Sequence, residues 1–261
     1  MDIYENNGRD MERITSRKNS FITHVRRLAA ERAYRTEQGE YICDGVKTLK
    51  EALIFGAEVT AVLWKDSAGE VPLPAGTDQY VCPCELFDYA SPMKNSPGPL
   101  FTVKIPAVPP DKANCAVVLE GVQDPGNVGT VIRTANALGI DAVVLTGECA
   151  DLYHPKTVRA TMGAIFRQRV LELPLERLPQ WLAENGLPLY GAALSDTAED
   201  VRRRDLSGCA VAVGSEGRGL SRDFLELCRG QVIIPMRPCS ESLNAAVAAS
   251  VIMWEMSRGR L

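Results

Sequence analysis

The chain has 261 residues, of which 46% are hydrophobic and 24% charged, with a formal net charge of -4. This is the balance of a soluble globular protein with room for one large domain or two modest ones, and it excludes a chain whose whole surface attracts nucleic acid. No apolar run approaches the ~20 residues that span a bilayer. The polar, acid-bearing start MDIYENNGRD argues against a targeting peptide and for a cytoplasmic protein with a loose tail over residues 1–12.

In chain order, Ser20 to Tyr34 carries Phe21, Val25, Leu28 and Ala29 at helical spacing and is expected to form one helix. The same region concentrates charge: Arg9, Arg13, Arg17, Lys18, Arg26, Arg27, Arg32 and Arg35 stand against Asp10, Glu12 and Glu31. Such a cluster either neutralises phosphates or is a solvated helix face. Tyr41 to Cys43 reads as a strand, and Asp44 is expected to cap a helix through Lys47, Leu49, Leu53 and Phe55 that Gly56 ends. Val59 to Trp64 is a second strand, so the region is a small α/β domain. Ser67 to Thr77 reads as loop, and Val81-Cys82 starts another strand. Ser91 to Pro110 holds six prolines around one apolar run, Leu100 to Ile105. The first domain therefore spans 13–105 and a linker 106–114.

From 115 to 261 the pattern changes. Ala116 to Val122 is a continuous apolar run of buried-strand type. Val128 to Leu138 is a helix stopped by Gly139, and Ala142 to Thr146 a strand. Further helices are expected at Pro155 to Ile165, Leu175 to Asn185, Leu220 to Cys228 and Leu243 to Arg258, and strands at Leu187 to Ala193, Cys209 to Val213 and Val232 to Ile234. Strands alternating with helices predict a mostly parallel sheet covered on both faces. The eight cysteines include no CxxC pair, and only His24 and His154 accompany them. Reduced thiols and no metal centre are expected.

Three loops follow apolar strands, where ligands of α/β proteins collect. In the first, Asp124-Pro125-Gly126 makes a turn and Asn127 is placed to cap the next helix, which carries Arg133. Capping accounts for Asn127 but gives Arg133 no purpose beyond helix formation. The second loop, Gly214 to Gly219, lets a ligand approach the backbone. The acid at its centre, Glu216, suits hydroxyls or a cation better than phosphate. The third runs from Ile234 through Pro235-Met236 to Ser242-Leu243-Asn244, where only one of Ser242 and Asn244 is needed as a cap. The helix beyond, AAVAASVIMWEM, is apolar enough to be packed against its own core or a partner subunit.

Together the loops read N-x-G-x-x-x-R (Asn127, Gly129, Arg133), G-x-E-x-x-G (Gly214, Glu216, Gly219) and P-M with S-L-N (Pro235, Met236, Ser242, Leu243, Asn244). In these motifs the chain resembles the SpoU, or TrmH-type, RNA ribose 2′-O-methyltransferases of the SPOUT class. Residues 112 to 261 match the catalytic domain of that family. Residues 13 to about 105, with ITSRKN and YICDGVKTLKEAL, look like the substrate-binding domain that often precedes it.

The resemblance implies an α/β fold with a trefoil knot, where the strand and helix pattern alone proposes an open sheet. It implies S-adenosylmethionine as cofactor, held by Gly214, Gly219, Ile234, Met236 and Leu243. It sets Arg133 beside the ribose 2′-hydroxyl, with Asn127, Glu216, Ser242 and Asn244 completing the catalytic set and orienting it. A guanidinium is not deprotonated in proteins, so Arg133 is read as an electrostatic and orienting group; the role proposed for the family is a direct base. The implied partners are RNA, ribosomal rather than transfer RNA given the extra domain, and a second copy of the chain with the site near the subunit interface. No membrane and no metal are implied. Arg17, Lys18, Arg26, Arg27 and Arg35 become phosphate contacts. Two departures from the family pattern, Pro238 for a glycine and Ala245-Ala246 for Val-Ser, are the support for an alternative: a non-catalytic RNA-binding or ribosome-assembly protein. A transfer-RNA methyltransferase is another. A nucleotide-dependent enzyme on an open sheet is a third, against which the missing dinucleotide fingerprint counts.

Overall fold

A computed structural model describes residues 11–67, 69, 71–107, 111–237 and 242–258. They form two compact units. One comprises the described residues up to Ala107 together with Tyr153–Phe166; the other holds the remainder. Among the described residues no helix is long and apolar enough to cross a membrane.

The first unit contains β1 (Glu12–Arg13), α1 (Ser20–Ala30), α2 (Arg32–Gln38), β2 (Glu40–Asp44), α3 (Val46–Ile54), β3 (Val59–Lys65), β4 (Asp78–Cys82), α4 (Cys84–Ala90) and β5 (Leu100–Lys104). Its sheet runs β1-β4-β3-β5-β2, with β5 antiparallel to both neighbours. Ile22, Val25 and Leu28 of α1 join Ile42, Leu63, Phe87 and Leu100 in the core, so the helical spacing seen in the sequence is the buried stripe. Asn19 caps α1 by accepting from Phe21 N at 2.8 Å.

The expected single helix over Ser20 to Tyr34 is instead two. Glu31 is extended (φ -114°, ψ 110°) and breaks it. The break folds α2 back so that the Arg35 guanidinium donates to the Leu28 carbonyl. Arg35 is only 3% exposed, which corrects its assignment as a phosphate contact: its donors are turned inward, onto the helix end of α1. Nor does Asp44 cap α3. Gly45 occupies that position without a side-chain bond, while Asp44 accepts from Ser96 Oγ at 2.6 Å and burial pushes its pKa up. The helix α4 was not expected from the sequence.

The second unit contains β6 (Ala116–Glu120), α5 (Pro125–Ala137) and β7 (Ala142–Thr146). After α6 (Pro155–Ala160), which belongs to the first unit, come β8 (Val170–Glu172), α7 (Leu178–Asn185), β9 (Leu189–Ala192), β10 (Glu199–Asp200), β11 (Ala210–Gly214), α8 (Arg222–Leu227), β12 (Gly230–Ile233) and α9 (Ala245–Met256). The sheet order is β10-β12-β9-β11-β6-β7-β8, with every pair parallel. Ala116, Val118, Ala142, Val144, Ala210 and Ala212 pack with Trp181 of α7 and Phe224 of α8. Alternate residues Val117, Val143 and Val211 are equally buried, so the strands are covered on both faces, as their unbroken apolar runs require. The order reverses beside β6: the chain leaves it for β7 and β8, then returns on its other side. The carboxyl ends of the adjacent strands β6 and β11 therefore stand side by side at this switch point, where α/β sheets hold their ligands.

The expected helix over Pro155 to Ile165 ends at Ala160, followed by positive φ at Met162 (51°) and Gly163 (88°) and a short 3-10 turn, Ala164–Phe166. This segment packs within the first unit: the ring of Tyr153 lies 4.7 Å from that of Tyr41.

Candidate active site

The first loop departs from the sequence reading in a way that matters for the site. Helix α5 begins at Pro125, and Asp124, not Asn127, is its cap, accepting from Asn127 N at 2.9 Å. Proline at the first helical position suits this start, since its missing N–H would be unpaired there anyway. Asn127 thereby sits inside the first turn with its amide side chain free. Its Nδ2 donates to the Glu216 carboxylate, and its Oδ1 accepts from Asn244 Nδ2 at 3.2 Å. Asn244 is the cap of α9, accepting from Ala246 N at 2.9 Å and Val247 N at 3.2 Å. One three-residue chain of hydrogen bonds therefore joins the loops after β6, β11 and β12.

The second loop has a backbone that only glycine permits. A Cβ on Gly214 would lie 2.0 Å from the Gly219 carbonyl carbon, because the loop returns on itself with Gly219 N bonded to Ser215 O at 2.9 Å. Gly219 has φ 67°, in the left-handed region.

Beside this loop lies a cleft of about 600 Å³. Gly214, Gly219, Ile234, Met236, Ser242 and Leu243 all line it, together with Leu194, Val213 and Ile252. Its size and its mixed lining of aliphatic side chains, polar groups and glycine backbone suit a drug-sized ligand. The structure thus brings the five expected cofactor residues to one cavity. Pro238 lies outside the described residues.

Arg133 is elsewhere. Six residues beyond Asn127, it leaves α5 about 240° further round and about 9 Å along the axis. It is exposed and has no carboxylate partner among the described residues. It lines a shallow groove of about 410 Å³ with Thr134, Ala137 and Leu138 on one side and Ser250, Val251 and Trp254 on the other. Asn127, Glu216 and Asn244 are joined to one another and Ser242 lines the cleft, but among the described residues no hydrogen bond runs from any of them to Arg133. The groove is apolar and open. Trp254 is 59% exposed and Val247 49%, and with Val251 they form a stripe along the outer face of α9, with exposed Leu243 just before the helix.

In the first unit, Arg17, Lys18, Arg26 and Arg27 are exposed. Arg27 is engaged by Glu31 at 3.0 Å and lies over Tyr34. The guanidinium carbons of Arg17 and Arg26 stand 4.5 and 4.0 Å from the centroid of one ring, Tyr89. Tyr89 was missed in the sequence because α4 was.

The SpoU rRNA Methylase family matches residues 114–254. The chain belongs to this family. It is similar to the 23S rRNA (guanosine(2553)-2'-O)-methyltransferase RlmP of Bacillus subtilis (strain 168), at 31% identity over 251 residues covering 94% of this chain and 99% of that protein. It is also similar to the 23S rRNA (uridine(2479)-2'-O)-methyltransferase of Streptomyces viridochromogenes, at 30% identity over 272 residues covering 95% and 93%. Among solved structures, the SpoU methyltransferase AviRb from Streptomyces viridochromogenes in complex with AdoMet matches with a TM-score of 0.82 and 27% identity, covering 93% of this chain and 98% of that one. The SpoU likeness bears out the expected α/β class with a mostly parallel sheet and agrees with the knotted form of that fold.

Proposed function

We propose that this chain is an S-adenosylmethionine-dependent RNA methyltransferase that modifies a ribose 2′-hydroxyl of ribosomal RNA. The observation that carries the reading is the single cleft lined by Gly214, Gly219, Ile234, Met236 and Leu243, walled off by a loop that Asn127 and Asn244 tie down, in a chain whose relatives are named 23S rRNA 2'-O-methyltransferases. The cleft fits the cofactor: its glycine backbone admits close approach and its aliphatic side chains offer a floor for an adenine ring. When bound, S-adenosylmethionine supplies a methyl carbon already activated by the neighbouring sulfonium. The protein's part is to bring the 2′-oxygen to about 3 Å from that carbon, where a C–O bond would form as the C–S bond breaks, with S-adenosylhomocysteine as the leaving group and water taking up the hydroxyl proton.

Arg133 is assigned to that oxygen as an electrostatic and orienting group. Because it lies in the α5–α9 groove, the protein is read as a homodimer in which the apolar stripe of α9 is covered by a second copy and Arg133 serves the cleft of its partner. Asn127, Glu216, Ser242 and Asn244 hold the ribose side of the cleft. Residues 13–105 form the RNA-binding domain, where Arg17 and Arg26, held against Tyr89 without a neutralising carboxylate among the described residues, offer paired donors to phosphate, with Lys18 and Arg27 beside them.

Incubation with labelled S-adenosylmethionine and total RNA from a strain lacking the gene tests this directly. Label in a 2′-O-methylated nucleotide of large ribosomal RNA is the expected result. Label in transfer RNA alone would move the substrate, and none in any RNA with cofactor bound would favour a non-catalytic RNA-binding protein.

A further inference from the structure

We infer that Glu120 is a positioning residue that latches the loop 214–221 shut and thereby sets the affinity of the cofactor cleft; the inference rests on the cofactor reading above. Glu120 ends β6 and is the one acid in a strand otherwise made of Ala, Val and Leu. It meets the loop at both ends. Its backbone stands in register beside Gly214, where the loop departs. Its carboxylate accepts from Ser221 N at 2.8 Å and from Ser221 Oγ at 2.6 Å, where the loop returns. Ser221 Oγ also accepts from Phe224 N at 3.2 Å, and Phe224 is fully buried. The far end of the loop is thus chained to the core through one hydroxyl and one carboxylate.

The loop needs such a latch. Four of its residues, Glu216 to Gly219, are exposed, and three of the residues from 214 to 219 are glycine, so its own packing leaves it many conformations. It is the wall between two cavities: the cleft of about 600 Å³ on one side and, on the other, a second cavity of about 460 Å³ that Glu120 lines. Asn127 holds the tip of the loop through Glu216, while Glu120 holds its base. A ligand entering the cleft then meets a preformed wall and does not bear the cost of ordering it.

The test uses the full chain with Glu120→Ala, Glu120→Gln and Ser221→Ala. Calorimetric titration with S-adenosylmethionine is expected to show roughly tenfold weaker binding for Glu120→Ala and Ser221→Ala, the scale of one charge-assisted hydrogen bond. Glu120→Gln, which keeps one acceptor, recovers part of it. Turnover at saturating cofactor falls less than affinity does. Hydrogen exchange of the amides from Gly219 to Ser221 is expected to speed up in the same order. Wild-type affinity with unchanged exchange in both Glu120→Ala and Ser221→Ala overturns the inference. So does an affinity loss that follows the thermal midpoint and that Gln does not rescue. If the wild-type chain binds no S-adenosylmethionine, the cofactor reading fails, and the exchange measurement alone still decides whether the latch exists.

Discussion

Asn244 and Asn127, separated by 117 positions in sequence, share a hydrogen bond of 3.2 Å, and the Asn244 amide is used at both of its ends. Its oxygen caps α9 through two backbone N–H groups, while its nitrogen reaches the residue that holds Glu216. Helix capping and site assembly are therefore one arrangement, and mutation can separate them.

Asn244→Ala loses both and is expected to cost about 1 kcal/mol of stability, as cap deletions do, along with methyl transfer. Asn244→Asp keeps the capping acceptor and loses the donor. Its thermal midpoint should match the wild type while turnover drops at least several-fold. Equal turnover in Asn244→Asp and the wild type would remove the Asn127 bond from the mechanism.

Gly214→Ala introduces a Cβ 2.0 Å from a backbone carbon of the same loop. Backbone cannot yield as a flexible side chain does, so the cleft wall must move. Binding of S-adenosylmethionine should weaken by more than about tenfold, with the parallel sheet intact by circular dichroism. Unaltered affinity would show that this wall does not contact the cofactor.

Arg133→Ala should reduce methyl transfer by about a hundredfold or more, the scale of removing one charge-stabilising donor, and leave cofactor affinity nearly unchanged. Dimer exchange gives a sharper outcome. Mixing Arg133→Ala with Gly214→Ala chains should restore activity towards about a quarter of wild type, because random pairing rebuilds one intact composite site in half of the dimers. If Arg133 serves its own chain's cleft, mixing restores none.

The stripe on α9 predicts a mass of two 28.4 kDa chains by sedimentation equilibrium. Val251→Asp with Trp254→Asp buries two unpaired charges in that face and should yield monomers. A wild-type monomer would refute the dimer.

Glu40 gives a pH dependence in the first unit. It accepts from His24 Nε2 at 3.0 Å and pairs with Lys104 at 2.7 Å. The His24 bond holds its carboxyl below the ordinary glutamate range, with burial opposing and Lys104 adding to the effect. A depressed carboxylate stabilises the fold above its unfolded pKa and loses that contribution as pH falls through the folded value. The gap in thermal midpoint between wild type and Glu40→Gln should be full at neutral pH and close as pH drops below about 4. A gap that stays constant down to about pH 3 would contradict the pairing.

Much of the second unit is legible in the sequence. Its strands are short apolar runs between glycines and turns, and Ala142 to Thr146 reads correctly to the residue, because burial on both faces leaves no polar position to blur the limits. The boundaries failed where a side-chain bond to the backbone resets a helix end. Glu31 breaks the first helix so that Arg35 can reach Leu28. Pro125, not Val128, starts α5 because Asp124 takes the cap. Tyr89 and Glu120 gave no local signal, one on a helix with few apolar repeats and the other a lone acid ending a strand.

The sequence by itself determined the alternation of strands and helices, the three motif loops and, through their order, the family. Backbone propensity, turn chemistry and residue type are properties of short stretches, so they are written locally. The tertiary structure decided which of those loops meet. It joined Asn127, Glu216 and Asn244, gathered the five residues expected to hold the cofactor around one cleft, and sent Arg133 to an open groove away from them. That outcome depends on helical phase along α5 and on the strand order that sets β6 beside β11. Both are fixed by packing between segments roughly a hundred residues apart, where sequence spacing carries no geometry.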